Sequence, residues 1–370
     1  MFTDATQFGG TVLVNGPPSS VQGPRARALF DGMARIVYKE KGRLSSVSEI
    51  WKALRQDESK WIYCIDMGFP SSLLAALRRR LSPRTKLFYE IGDPVRPLLA
   101  NQARPSWEVA FAHQVDRRLP NNADRLVFRG SFLADYFRGI SSRKRLPPWT
   151  WLPDGVDCEV FRPQRQHQSV LALRRAHNLE RRFVVGLVGN IHHNPYHNLF
   201  YGWELAEALA LIPLDVPVTG VVVGDGPGRQ VLEAARARLG LGDRLLIVGR
   251  VPHEEVPLWM NVFDLGLSTQ TDDPVGWGRT TAKLPEYLAC GRPVLCSDVG
   301  EAHRWLKDSG QTLPYTGMRD ETYPARLAKQ IAEMVSRDLT PLQSHNRDLA
   351  LKTFDYKLLR EKLKEFLSRN

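Results

Sequence analysis

The chain has 370 residues, 43% of them apolar, which is enough for two domains with real cores and too much for a disordered polymer. No apolar run approaches the roughly 18–20 residues that span a bilayer, and Cys64, Cys158, Cys290 and Cys296 are scattered without metal-type pairing, as reduced thiols would be. The net charge of +11 is uneven: residues 1–165 hold 26 Lys and Arg against 16 Asp and Glu, a net of +10, whereas residues 166–370 hold 25 against 24, a net of +1.

In chain order, Met1-Phe2-Thr3-Asp4 has neither the basic start nor the apolar segment of a secretory signal, so a cytoplasmic protein is expected. Thr11–Asn15 predicts a first strand, Gly16–Pro24 a turn-rich loop, and Arg25–Lys41 a helix. Lys60–Ile65, Lys86–Glu90 and Asp124–Arg129 predict further strands, each separated by helical stretches, the pattern of a parallel sheet covered on both faces. Arg78-Arg79-Arg80 with Arg84 and Lys86, and Arg143-Lys144-Arg145, are basic clusters; they read either as solvated surface or as patches for phosphate-rich partners. Pro153–Pro163, with two prolines and Gly155, suits a link between domains.

A second α/β unit begins near Phe183–Gly189, with strands at Val218–Val223, Leu245–Val248, Leu265–Ser268 and Val294–Cys296. Leu358, Leu359, Leu363, Phe366 and Leu367 give the tail helical spacing. The domains expected are therefore 1–165 with the link near 151–165, 166–345, and a helical tail over 346–370. Three histidines in the loop Asn190–His197 raise zinc, but Pro195 breaks a regular helix through them and no Cys or carboxylate lies nearby, so no metal site is expected.

Lys283–Val294 reads as a short helix that begins with Lys283 and Glu286 one turn apart, closes on Gly291 in the position where a left-handed residue is cheapest, and runs into a strand. Helix N-termini suit phosphate. Three further stretches accompany it in order: Trp151–Pro163 (W-L-P-D-G-V-D-C-E-V-F-R-P), Gly224–Arg229 (G-D-G-P-G-R) and Val248–Val256 (V-G-R-V-P-H-E-E-V). Together they resemble the GT-B fold glycosyltransferases of the retaining family-four type, the glycosyl transferases of group 1. The resemblance implies an α/β fold of two Rossmann-like domains facing a cleft, with the C-terminal helix crossing back to the first domain.

It also implies a transfer of a sugar from a nucleotide-diphosphate-sugar to a glycan or lipid-linked acceptor in cell-surface polysaccharide or glycolipid synthesis. The anomeric configuration would be retained, with no cofactor and no metal. Arg279 and Lys283 would carry the diphosphate charge, helped by N–H groups around Thr280, Thr281 and Ala282. Glu286 would hold the ribose, Arg250 and Val251 the base, and Gly23 would let backbone approach the phosphate, with Arg25 behind it. Asp93 or Glu90 would meet sugar or acceptor hydroxyls.

Three positions depart from the family. Gly278 stands where a first glutamate is usual, Gly92 where a histidine is usual, and Asn190 and His197 where a basic pair is usual. A protonated His197 could replace part of that pair. A nucleotide-sugar epimerase or hydrolase on the same fold, or a non-catalytic GT-B module binding a glycan or partner, are the alternatives. The basic first half points to an anionic membrane surface, hence to a peripheral protein at the inner face. Nucleic acid is disfavoured for want of a basic and aromatic recognition element.

Overall fold

A computed structural model describes residues 9–20, 22–39, 45–55, 59–68, 70–143, 145–279 and 281–369. Met1–Asp4, Val21, Lys41, Lys144 and Thr280, which entered the sequence reading, lie outside the described residues. The chain forms two compact units: Met1–Gly155 with Trp277–Thr280 and Tyr356–Asn370, and Val156–Gly276 with Thr281–Asp355.

The first unit holds strands β1 (Gly10–Val14), β2 (Arg35–Tyr38), β3 (Trp61–Ile65), β4 (Lys86–Ile91), β5 (Arg125–Phe128) and β6 (Trp149–Trp151). All neighbours pair in parallel, in the order β2-β1-β3-β4-β5-β6. Alternation along the strands splits the core by face. Val12, Val14, Tyr63, Ile65, Phe88 and Val127 pack with Phe30 and with Leu359, Leu363 and Phe366 of the final helix, Tyr356–Ser368. Leu13, Ile62, Cys64, Leu87, Leu126 and Phe128 face the helices Ser45–Arg55, Ser71–Leu81 and Ser131–Ile140. The helical tail therefore closes the first unit's core.

Three boundaries differ from the sequence reading. The helix expected over 25–41 is Gln22–Phe30. Gly32, at φ +71°, turns the chain, and the β-branched and aromatic run Arg35–Tyr38 then pairs with β1 instead. The units divide at Gly155/Val156 rather than 165, because Val156, Cys158 and Phe161 are buried in the second core. The tail joins the first unit only from Tyr356: the helix Thr340–Thr353 belongs to the second unit, where Arg347 donates to the carbonyls of Ala289 (2.7 Å) and Phe161 (2.9 Å).

The second unit holds β7 (Phe183–Val188), a small antiparallel pair β8 (His193–Asn194) and β9 (Leu199–Phe200), then β10 (Val218–Val223), β11 (Leu245–Gly249), β12 (Leu265–Ser268), β13 (Val294–Ser297) and β14 (Thr312–Leu313). The main sheet is parallel in the order β11-β10-β7-β12-β13-β14, the doubly wound order whose ligand position lies at the carboxyl ends, where the winding reverses between β7 and β12. β10 and β13 are buried along their whole length, as parallel strands covered on both faces must be.

Candidate functional site

At the carboxyl ends of β7, β10 and β11 the chain turns through Gly189, Gly224 and Gly249, with φ of +145°, +150° and +91°. The three turns are stitched together: Gly189 N–H donates to Val223 (2.9 Å) and Gly224 N–H to Gly249 (2.8 Å). A Cβ on Gly224 would stand 1.8 Å from the Gly189 carbonyl oxygen, and one on Gly226 2.3 Å from the Asn190 amide oxygen. The glycines of the Gly224–Gly228 turn thus serve close backbone packing around the loop after β7. Asn190 is exposed at this end, and Arg250 and half-buried Val251 follow Gly249 directly.

Lys283 reaches the same end. A Cβ on Gly189 would lie 2.6 Å from Lys283 Cε, so the glycine leaves the lane through which this side chain runs. Lys283 Nζ donates to Tyr201 Oη (3.0 Å) and lies 4.2 Å from the centroid of that ring. Tyr201 Oη in turn donates to the Val188 carbonyl (2.9 Å), tying the ammonium to the last residue of β7. Thr281 sits at the end of β12, its hydroxyl 3.3 Å from that of Ser268. Lys283, Thr281 and Gly189 are therefore gathered where β7 and β12 diverge. Sequence reasoning did not find Tyr201; nothing in its local pattern marks it.

The helix Lys283–Ala289 carries half-buried Glu286 one turn beyond Lys283. Gly291 has φ +62°, the left-handed close expected from the sequence, and Arg292 N–H returns to Tyr287 and Gly291 N–H to Leu288 (both 2.9 Å), which makes it a Schellman motif. Its start is less open than expected. Leu284 N–H donates to Thr281 (3.0 Å), Glu286 N–H donates to Ala282 (3.2 Å), and Pro285 has no N–H. Among the described residues Lys283 itself is thus the principal cationic feature of this helix start. His197 closes the single turn Pro195–His197 between β8 and β9; its ring is half-buried, with Nε2 lacking a hydrogen-bond partner. Among the described residues no three His, Cys, Asp or Glu side chains are grouped to hold a metal ion.

Behind this end lies Glu204, in the first turn of the helix Trp203–Leu211 and only 7% exposed. Burial pushes its carboxyl up to about 7, opposed by hydrogen bonding, including to the Thr269 side chain just after β12.

Arg279 falls in the first unit. Its guanidinium grips Asp93 with both forks, Nε to Oδ1 at 2.8 Å and Nη2 to Oδ2 at 3.2 Å. The segment is seated by Trp277, edge-on to Phe132 with centroids 4.8 Å apart. A Cβ on Gly130 would come within 2.2 Å of the Gly278 carbonyl oxygen, and one on Gly278 within 2.7 Å of Leu133. A side chain at 278 would have to displace the tip of Leu133.

The carboxyl ends of β3 to β6 are filled by an ionic cluster. Glu90 is fully buried; its Oε1 accepts from Arg25 Nε (2.8 Å) and Arg129 Nε (2.9 Å), and its Oε2 from Tyr63 Oη (2.7 Å). Arg129 also pairs with Asp66, and Arg25 donates to the Pro153 (2.6 Å) and Leu152 (3.1 Å) carbonyls. Burial opposes the charge on Arg129, and the surrounding carboxylates raise its pKa well above the usual value in spite of it. Glu90, read as a candidate for hydroxyl binding, is thus consumed inside the fold, and Arg25 with it. Gly92 stands where a histidine was expected because a Cβ there would lie 2.5 Å from the Arg129 guanidinium carbon. Gly23 lies in the first turn of Gln22–Phe30, where a Cβ would meet the Pro18 carbonyl oxygen at 2.0 Å, so the loop's own backbone demands the glycine.

Residues 182–337 match the model of a known family, the glycosyl transferases of group 1. The match spans about two fifths of the chain, and that segment is similar to the family. The chain is 33% identical over 162 residues to the 2-deoxystreptamine glucosyltransferase of Streptomyces kanamyceticus, covering 40% of this chain and 38% of that protein. It is 31% identical over 153 residues to the 2-deoxystreptamine N-acetyl-D-glucosaminyltransferase of Streptomyces fradiae, covering 40% and 33%. The chain thus spans only about two fifths of the first relative's length and a third of the second's. Among solved structures it resembles Anabaena HepE in complex with UDP and glucose, with a TM-score of 0.75 at 20% identity over 98% of this chain and 100% of that one. WaaG, a glycosyltransferase of lipopolysaccharide biosynthesis, follows at 0.69 and 13%, covering 98% and 100%. These likenesses show the fold, the α/β class of two Rossmann-like units found in GT-B glycosyltransferases. No helix among the described residues is long and apolar enough to cross a membrane.

Proposed function

We propose that this chain is a glycosyltransferase of the group 1 type that moves a sugar from a nucleotide-diphosphate-sugar to a glycan or lipid-linked acceptor with retention of configuration, without a metal. The observation that carries the reading is Lys283 laid over Gly189 at the β7/β12 divergence, inside the matched segment. A diphosphate there would meet a compact cation and the backbone of the loop after β7, in the position where doubly wound sheets take their ligands. Glu286 would accept from the ribose hydroxyls, while Arg250 and Val251 flank the base and Asn190, His197 and Thr281 border the phosphates. The complexes of HepE with UDP and UDP-glucose support a uridine nucleotide as the first to try.

In the step itself, the bond from the anomeric carbon to the diphosphate oxygen breaks. The acceptor hydroxyl oxygen bonds to that carbon on the same face, and its proton passes to the departing phosphate oxygen. The protein's part is to hold the reactants and to stabilise charge that grows on the diphosphate, through Lys283 and through Arg279 once it exchanges Asp93 for phosphate. Asp93, so released, would accept from a sugar hydroxyl.

The deciding experiment is a thermal-shift screen against UDP, GDP, ADP and dTDP and their sugars, followed by turnover with and without acceptor sugars in the presence of chelator. One nucleotide should raise the melting temperature selectively by linkage. Nucleotide diphosphate should then appear only with acceptor present. Release without acceptor would mean hydrolysis, an altered donor would mean epimerisation, and no response to any nucleotide would overturn the reading.

A further inference from the structure

The loop that follows β14 runs from Pro314 to the start of the helix Tyr323–Val335 and is folded around one carboxylate. Asp320, 5% exposed, accepts from the N–H and the hydroxyl of Thr316 (both 3.1 Å), from the N–H (3.0 Å) and the hydroxyl (2.6 Å) of Thr322, and from Arg326. Burial opposes its charge, but these donors outweigh burial and bring its carboxyl down to about 2. Arg326 also donates to the Pro314 carbonyl (2.9 Å), and Tyr315 packs on Tyr323 with ring centroids 4.9 Å apart. The loop thus holds its shape through its own residues.

Two points of this frame reach the donor position. Arg319 lays its guanidinium over the indole of Trp203, 3.9 Å from the ring centroid, and donates from Nη1 to the Asn198 carbonyl. Its Nε pairs with exposed Glu321 (2.6 Å), which fixes the plane of the fork. The Gly317 carbonyl accepts from the N–H of Asp272 (2.9 Å), in the loop after β12. One loop therefore holds both the chain that follows β7 and the chain that follows β12.

The two points gripped by Arg319 bracket Tyr201. That tyrosine holds Lys283 Nζ (3.0 Å) and ties it to the Val188 carbonyl (2.9 Å). His197 immediately precedes Asn198. Trp203 is only 2% exposed and the Arg319 side chain 17%, so the cation–π contact is largely desolvated, where such contacts are strongest. Packing alone needs no cation here, since an apolar side chain would cover the indole as well. What the guanidinium adds is direction: a donor to the turn before Tyr201 and a flat face to the ring after it.

We propose that Arg319 is a positioning residue of the donor site, fixing the segment 198–203 so that Tyr201 holds Lys283 against the diphosphate. This role rests on Lys283 being the diphosphate cation.

The test is calorimetric titration of the whole chain with UDP, GDP, ADP and dTDP. Wild type is compared with Arg319→Met, Arg319→Lys, Tyr201→Phe and the double variant Arg319→Met/Tyr201→Phe. Arg319→Met keeps an apolar stem on Trp203 and removes the charge and the donor, so the fold should persist. Arg319→Gln, which keeps a donor for Asn198 and loses the charge, stands in if Arg319→Met does not fold. For the nucleotide that wild type binds, affinity should fall about three- to tenfold in Arg319→Met, the scale of one lost cation–π or charge-assisted contact. Arg319→Lys, which keeps a charge over the ring, should recover most of it. Tyr201→Phe should weaken binding by a similar factor, and the double variant by no more than the weaker single variant, because both changes cut one connection. A lower melting temperature with unchanged affinity in Arg319→Met would mean a purely structural arginine and overturns the proposal. Losses that multiply in the double variant overturn it too, since Arg319 would then not act through Tyr201. No binding of any nucleotide by wild type would instead remove the diphosphate reading itself, and the role of Arg319 with it.

Discussion

The two units answer the same architectural question in opposite ways. Each is a parallel doubly wound sheet, and each must finish its strands at a carboxyl edge where backbone and loops leave a hollow. In the first unit that edge is plugged with side chains: Glu90 takes Arg25, Arg129 and Tyr63, and Arg129 takes Asp66. In the second it is built from glycines at positive φ, with Lys283 drawn over one of them. An edge filled by its own ions has little left to offer a ligand, whereas an edge made of backbone and one cation does. The presence of charge is therefore a poor guide to a binding site; what matters is whether the fold has already spent it.

That contrast is broken most forcefully from the first unit. Glu90→Ala leaves two buried guanidinium groups without their shared carboxylate, and removing one partner of such a cluster costs about 3–5 kcal/mol. Urea unfolding should show a loss of that size, with nucleotide binding by the folded protein unaltered. The complementary change, Lys283→Ala, should leave the urea midpoint nearly in place and cut turnover by about 10²–10³, the scale of one lost charge-stabilising donor. If Glu90→Ala were neutral to stability, or Lys283→Ala to turnover, the division between a spent edge and an open one would fail.

Glu204 sharpens the contrast, because it is a buried carboxyl in the second unit with a raised pKa rather than a completed ion pair. Its carboxyl is held at about 7 in the fold, against 4.5 for the free group. Its stabilising contribution is complete below the unfolded value and is lost as pH rises through the folded one. Glu204→Gln should thus match wild type near pH 4.5 and exceed it by about 3 kcal/mol above pH 7. Asp116, pushed up to about 6 by burial, drifts in the same direction but is common to both proteins and cancels in the difference. Paired urea curves across this range measure it; a difference that does not grow with pH would mean that Glu204 is ionised in the fold.

Much of this was legible in sequence, and what was not has a common cause. Val218–Val223 and Leu265–Ser268 occupy the predicted bounds, because a strand buried on both faces is a continuous apolar run. Gly291 and the tail helix were likewise readable, since a left-handed cap and a 3.6-residue period are local properties. β2 and β6 were missed because each is short and only half-buried at best, so its pairing is written in the neighbour rather than in itself. The site divides the same way. Lys283 and Glu286 were found from a contiguous motif. Tyr201, which holds Lys283, and Arg129, which closes on Glu90 and displaces any side chain at Gly92, act across 82 and 39 positions of sequence.

The gentlest test concerns Arg279, whose pair with a carboxylate is open to solvent. Arg279 and Asp93 make a bidentate pair, yet their side chains remain 39% and 33% exposed, so the pair is screened by solvent. Such pairs contribute about 0.2–1 kcal/mol, little enough for a diphosphate to displace. Asp93→Asn keeps the shape and removes the competing charge. If Arg279 serves the donor, its affinity for nucleotide diphosphate should rise about two- to fivefold, while Arg279→Ala abolishes the gain when combined with Asp93→Asn. Turnover need not rise with affinity, because Asp93 is also proposed to meet a sugar hydroxyl, so calorimetric binding is the measurement that decides. An unchanged affinity in Asp93→Asn would mean that Arg279 is spent on the fold like Arg25 and Arg129, leaving Lys283 to carry the diphosphate alone.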